Sequence, residues 1–223
     1  MPPSLQAKFD ATTLTSIGVF SVVYGGLLSA DLKAGQTVAI TGATGPYGAA
    51  AVAVSLAMGA RRVIAFGRNA AILESYVAKF GPRVYPLVAT GDEAQDTANF
   101  KKAAGEGFQI DVTFDMLPPT APFSTARAAI CALRFGGTAV LMGGVQSNVE
   151  LPYPVMMINN LTVKGCFMYP RAATLNILGM LESGLIDPTL VDQKTFKLDQ
   201  AEEAIEWAKN HTGPFESTTI LPN

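Results

Sequence analysis

The chain has 223 residues, 49% of them hydrophobic and only 15% charged, a balance that supports a large buried core and excludes a disordered or solvating polypeptide. Its formal net charge is −2 and it carries no basic stripe, so neither nucleic acid nor an acidic membrane surface is an expected partner. Two isolated cysteines, Cys131 and Cys166, and a lone histidine, His211, speak against a metal site made from this chain alone; two reduced, buried thiols in a cytoplasmic protein and a surface histidine are the expectation.

The first long element is apolar almost all round and reads as a buried helix from Thr12 to Ala30. Its most apolar run, Ile17 to Leu28, falls short of the roughly 18 residues that a membrane span requires and contains Gly25-Gly26. It also lacks the basic start and small-residue cleavage site of a secretory signal. A polar turn, Asp31 to Gln36, leads to the strand Thr37 to Thr41. The stretch Gly42-Ala43-Thr44-Gly45-Pro46-Tyr47-Gly48 then turns tightly into the helix Pro46 to Met58, which begins on a proline and stops at Gly59.

Arg62 to Phe66 is a second strand, ending at Gly67, and Asn69 is placed to cap the helix Ala70 to Phe80. A third strand, Val84 to Leu87, is interrupted by Pro86; the helix Asp92 to Ala104 follows it. Phe108 to Asp115 is a fourth strand, Ala121 to Leu133 a helix ended by Gly136-Gly137, and Thr138 to Met142 a fifth strand running into Gly143-Gly144. Leu161 to Phe167 is a sixth strand and Ala172 to Ser183 a further helix. Strands and helices alternating in this way predict an α/β fold, a doubly wound parallel sheet of about six strands with helices on both faces. After Gly184 the pattern changes to a strand, Lys194 to Leu198, a helix, Gln200 to Asn210, capped by Asp199, and a last strand, Ser217 to Leu221. The expected organisation is a linking helical region over 1–30, the doubly wound unit over 31–184 and a strand-helix-strand over 185–223.

A strand, a glycine turn and a helix in this order form a cradle for a diphosphate, because the free N–H groups and the positive end of the helix face the anion. Gly45 and Gly48 leave room where the ligand approaches the backbone and where helix packs on strand. Thr41, Gly45, Pro46, Tyr47 and Gly48 are the candidate residues there. Backbone binding by Pro46-Tyr47-Gly48 is preferred to a special role for the Tyr47 phenol. Other templates do not fit: the loop lacks the Lys-Ser/Thr ending of a Walker A motif, Tyr76-Val77-Ala78-Lys79 is one residue too short for Tyr-x-x-x-Lys, and there is no G-x-S-x-G elbow.

Taken together, Leu32 to Gly48, Ala57-Met58-Gly59-Ala60, Asp111 to Asp115, Leu133 to Gly143, Asn160 to Gly165 and Phe196 to Ala204 stand in an order that resembles the cofactor-binding part of the medium-chain dehydrogenase/reductase superfamily. Its quinone-reductase-like and alcohol-dehydrogenase-like members are the most similar. The resemblance implies a nicotinamide cofactor and hydride exchange with a small-molecule substrate. It also implies an N-terminal substrate domain of roughly a hundred residues or more, expected to be missing here. That leaves open whether the chain turns over or is a binding module that needs a partner. In zinc-dependent members a cysteine ligand lies on the helix before the first strand, where this chain looks to have Gly18, so no zinc is expected. The resemblance places Met116 and Leu117 beside the adenine or ribose, and Gly143, Gly144, Val145, Phe167 and Met168 near the nicotinamide. The sixth strand is implied to sit at a sheet edge and to pair with its copy in a homodimer.

The second strand decides the cofactor type. It ends Gly67-Arg68-Asn69, without the acidic residue that holds an unphosphorylated ribose, and a guanidinium suits a 2′-phosphate. NADP(H) is therefore expected over NAD(H), the alternative being that Arg68 is a solvated surface charge.

Overall fold

The computed structural model describes residues 1–222. Helices α1 (Pro3–Lys8), α2 (Ala11–Leu14) and α3 (Ile17–Ser29) lead into an alternating region. It comprises β1 (Thr37–Thr41), α4 (Pro46–Ala57), β2 (Arg62–Gly67), α5 (Ala70–Phe80), β3 (Val84–Val88), α6 (Glu93–Ala103), β4 (Ile110–Asp115), α7 (Phe123–Ile130), β5 (Leu133–Leu141), α8 (Tyr153–Ile158), β6 (Thr162–Gly165) and α9 (Arg171–Glu182). The chain closes with β7 (Asp192–Lys197), α10 (Ala201–Asn210) and β8 (Glu216–Leu221).

Six strands form one sheet in the order β3-β2-β1-β4-β5-β6, with every pairing parallel. The expected doubly wound sheet is thus the fold. Its strands alternate between two cores. Val38, Ile40, Val63, Ala65, Val112 and Phe114 face one side, packed by α3, α4, α5 and α9; Ala39, Ile64, Phe66, Ile110 and Ala139 face the other, packed by α6 and α7. Burial on both faces explains why β1 is buried at every position, with the apolar run Val38-Ala39-Ile40 at its centre instead of an alternation with polar residues. Pro86 lies in β3, an edge strand, where a missing ladder donor is tolerated.

The long N-terminal helix is broken. Asp10 caps α2 through the Thr13 N–H at 2.6 Å, and the chain kinks at Thr15-Ser16 before α3 begins. The stretch Ala11–Ser29 has the length and composition of a membrane span, yet Ile17, Phe20, Val23, Tyr24 and Leu27 are spent in the core. The fifth strand starts earlier than expected: α7 stops at Ile130, and Leu133 already pairs with Ile110 in β5. Gly136-Gly137 therefore do not end a helix. They lie inside β5, beside the irregularity between Ile110 and Val112, with Gly136 at φ +69°. Phe108 falls outside β4 and lies under the Arg61 guanidinium, 3.5 Å from the ring centroid. The sixth strand is shorter than expected, ending at Gly165, and α1 and α8 were not foreseen.

Beyond α9, β7 and β8 pair with each other in parallel. Asp199 does not cap α10. It sits in a 3-10 turn, Leu198–Gln200, where Gln200 Oε1 accepts from the Lys197 N–H at 3.1 Å. Both cysteines are free and half-buried instead of fully buried. His211 is not a plain surface residue: its ring stacks on Trp207, with centroids 3.6 Å apart and planes 5° from parallel.

Candidate functional site

The strand order reverses between β1 and β4, and their carboxyl ends open a crevice there. Thr41, last in β1, is buried, and its Oγ1 donates to Asp115 Oδ1 at 2.9 Å. The same carboxylate oxygen accepts from the Leu117 N–H at 3.2 Å, and the Gly143 N–H also faces the carboxyl group. One buried aspartate thus joins the turns after β1, β4 and β5. Burial pushes its pKa up, and the hydrogen bonds from Thr41, Leu117 and Gly143 only partly offset this.

Gly42 begins the turn after β1 at φ +69°, with Gly45 N–H donating back to Gly42 O at 3.1 Å. Tyr76, from α5, donates its buried hydroxyl to Ala43 O at 2.7 Å, and burial raises the pKa of that phenol. Gly48 is required by packing: a Cβ there would lie 2.1 Å from Gly42 O. Gly45 differs, because a Cβ would meet only Gly42 O at 3.6 Å, an ordinary contact. No internal neighbour demands glycine at 45, so the space it leaves faces outward, where a ligand would approach.

The start of α4 fits an anion. Gly45, its N-cap, supplies no side-chain acceptor, so the first-turn N–H groups lack a cap. The neighbouring helices are closed: Asn69 Oδ1 accepts from the Ile72 N–H at 3.2 Å, and Asp92 Oδ1 from the Gln95 N–H at 2.8 Å. Pro46 occupies the first helical turn and Tyr47 is 45% exposed at its rim. These residues fit the diphosphate of a dinucleotide.

The other candidates divide. Gly67 ends β2 against the Thr44 side chain, and Arg68 and Asn69 are exposed beyond it. Arg68 has no ion-pair partner among the described residues. Met116 is half-buried; Leu117 is 7% exposed and belongs to the second core, which limits it to backbone contacts. Gly143 and Gly144 are exposed on the crevice side of β5, tied to the turn after β4 by Gly144 N–H donating to Leu117 O at 2.8 Å, and Val145 is half-buried behind them. Phe167 stands 92% exposed after β6, and Met168 takes a left-handed conformation at φ +60°.

Sequence reasoning missed three parts of this region. Asp115 was read only as a strand end, although a polar residue closing an apolar strand beside Thr41 was a usable signal. Tyr76 carried no signal, since its partner is a backbone carbonyl. The third is a groove of about 920 Å³ that runs from Thr44, Arg68 and Asn69 to Asn210, His211 and Glu216.

Residues 46–183 match the family profile described as "Zinc-binding dehydrogenase". Among curated proteins, sorbitol dehydrogenase of Mus musculus is 28% identical over 198 residues, covering 89% of this chain and 52% of that protein. Alcohol dehydrogenase TADH from Thermus sp. ATN1 superposes with a TM-score of 0.76 at 22% identity, covering 99% of this chain and 62% of the other. A short chain alcohol dehydrogenase from E. coli CFT073, complexed with cofactor NADH, superposes with a TM-score of 0.70 at 19% identity, over 86% of this chain and 54% of the other. The chain spans about half the length of the curated relatives it matches.

Proposed function

The chain belongs to the zinc-binding dehydrogenase family, as the cofactor-binding part of the medium-chain superfamily, and from that premise we propose that it binds NADP(H) in preference to NAD(H). The reaction it serves is hydride transfer between the nicotinamide and a small carbonyl, alcohol, enone or quinone. The coenzyme, when bound, supplies or accepts the hydride. This chain's residues hold it: the uncapped start of α4 takes the diphosphate, Met116 and Leu117 border the adenosine, and the turns at Gly143 to Val145 and Phe167-Met168 border the nicotinamide. Asp115 positions three of those turns through Thr41, Leu117 and Gly143.

The observation that carries the coenzyme preference is the end of β2, where an exposed Arg68, without an ion-pair partner among the described residues, stands without an acidic neighbour at Gly67 or Asn69. NADH in the E. coli neighbour is that protein's cofactor. The zinc-free reading rests on Gly18, which offers no ligand side chain. A homodimer through β6 is part of the same proposal, since β6 is a sheet edge with its outer ladder unpaired and with Tyr153, Ile158 and Phe167 exposed nearby. A cytoplasmic setting suits the two free thiols.

The second reading is an NADP(H)-binding module that does not turn over alone, favoured by the half-length coverage of the relatives. Titration of the purified chain with NADPH and NADH tests the coenzyme assignment. Arg68→Ala is expected to weaken NADPH about tenfold and leave NADH unchanged. An unchanged ratio removes Arg68 from the site. NADPH oxidation against ketones, aldehydes, enones and quinones then separates the two readings: turnover supports the reductase, and tight binding without turnover supports the module.

A further inference from the structure

The groove beside Arg68 has a second wall that comes from the far end of the chain. Thr44, Arg68, Asn69 and the start of α5 form one side; Asn210, His211, Thr212, Gly213 and Glu216 form the other. This second wall is fixed. Phe215 is buried and packs on Tyr76 and Phe80 of α5, at 6.0 and 5.8 Å between ring centroids. Tyr76 also holds the Ala43 carbonyl, so the same side chain braces the turn after β1 and the C-terminal wall.

We propose that His211 is a specificity-determining residue for the coenzyme, giving the 2′-phosphate a second contact opposite Arg68. The inference rests on the NADP(H) reading above. The imidazole is pre-set for the role. Its Nδ1 lies 2.9 Å from Trp207 O, and a carbonyl oxygen only accepts, so Nδ1 carries a hydrogen. Nε2 is the nitrogen left for a ligand. In the neutral ring it is an acceptor and repels a phosphate oxygen; once protonated it becomes a charge-assisted donor. Binding the phosphate therefore takes one proton from solvent onto Nε2 whenever the ring starts neutral. Stacking on Trp207 holds the ring plane in place.

The charged groups around the ring are few. Glu216 lines the same groove and accepts from the Gly213 N–H at 2.8 Å. Lys194 of β7 lies over the Trp207 ring at 5.2 Å, and Lys209 is paired with Glu206 at 2.8 Å along α10. Arg68 and His211 are thus the two basic side chains on the groove itself.

The test measures dissociation constants of NADPH and NADH, and of adenosine 2′,5′-bisphosphate and 5′-AMP, at pH 6 and pH 8. Wild type, Arg68→Ala, His211→Gln and His211→Arg are compared. His211→Gln should lose roughly five- to tenfold in the NADPH-to-NADH ratio at pH 6 and less at pH 8. His211→Arg should keep the preference at both pH values, which also shows that the wall has folded. If wild type prefers NADPH and Arg68→Ala abolishes that preference, while His211→Gln leaves the ratio unchanged at both pH values, the role of His211 is overturned and the NADP(H) reading stands. If wild type shows no preference for NADPH, the NADP(H) reading fails and this inference falls with it. If wild type prefers NADPH but Arg68→Ala does not alter the preference, Arg68 leaves the site and the contact opposite it is overturned while the NADP(H) reading stands.

Discussion

The two ends of the central sheet use similar residues to opposite effect. At the amino end, a cavity of about 520 Å³ is lined by Arg61, Arg134, Asp111, Thr37 and Phe108. Most polar groups there are already engaged. Asp111 accepts from the Thr37 N–H at 2.7 Å and from Arg134 Nε at 2.6 Å, while Arg61 donates to Thr37 Oγ1 at 2.7 Å and Ala104 O at 3.0 Å. At the carboxyl end the first turn of α4 has no cap, Arg68 is unpaired among the described residues, and His211, bonded through Nδ1 to Trp207 O, lines a groove. Partnered charges lock strands together, whereas groups left without partners at a switch point are the ones that await a ligand. Cavity size alone would not separate the two.

The sharpest way to break this comparison is within the turn itself. Gly48→Ala places a Cβ against the Gly42 carbonyl, which is backbone and cannot swing away, so a loss of about 3 kcal/mol in unfolding free energy is expected, with coenzyme affinity lost as α4 shifts. Gly45→Ala meets nothing closer than 3.6 Å. It should cost less than about 1 kcal/mol of stability and still abolish NADPH binding, because its methyl occupies the ligand's path. Urea unfolding read beside a coenzyme titration checks both. Equal stability losses would erase the distinction between a packing glycine and a ligand glycine.

The amino end gives the converse case. Asp111→Ala strands the Thr37 N–H and Arg134 Nε and should cost about 2 kcal/mol. NADPH and NADH affinities should not move. A changed coenzyme affinity would mean that the amino end communicates with the crevice and that the two ends cannot be treated apart.

Much of the fold was legible because its signals are local. The buried strands Thr37–Thr41 and Arg62–Gly67, the proline start of α4 and the Asn69 cap are written in contiguous residues and appear where the sequence places them. The errors lie where distant pairing overrode local pattern. Leu133 continues a helical run by composition, yet joins β5 because Ile110 is its partner across the sheet. Asp199 is a good cap by residue type, but Gln200 folds back on Lys197 and moves the helix start to Ala201. The candidate site follows the same rule. Its turn and Arg68 could be read from sequence, whereas the wall made by Asn210 to Glu216 depends on Phe215 reaching α5, more than a hundred residues away in the chain.

The smallest expected effect concerns Asp115, the one buried carboxylate of the crevice, and it is visible only as a pH trend. Its pKa is raised by burial, so the folded state holds the proton more tightly than the unfolded chain does. Its contribution to stability is therefore greatest below the ordinary carboxylate range. It falls as pH rises through that range toward the raised value, opposite in sign to a salt-bridged aspartate. Asp115→Asn keeps an oxygen for Thr41 Oγ1 and the Leu117 N–H but turns an amide toward the Gly143 N–H, which adds a fixed cost at every pH. The difference between the two proteins then isolates ionisation. The variant should be the weaker one near pH 4 and should recover against wild type toward pH 7 in paired thermal melts. A difference that stays flat, or widens against the variant as pH rises, would show that hydrogen bonding outweighs burial at Asp115 and that this end of the sheet is as fully compensated as the other.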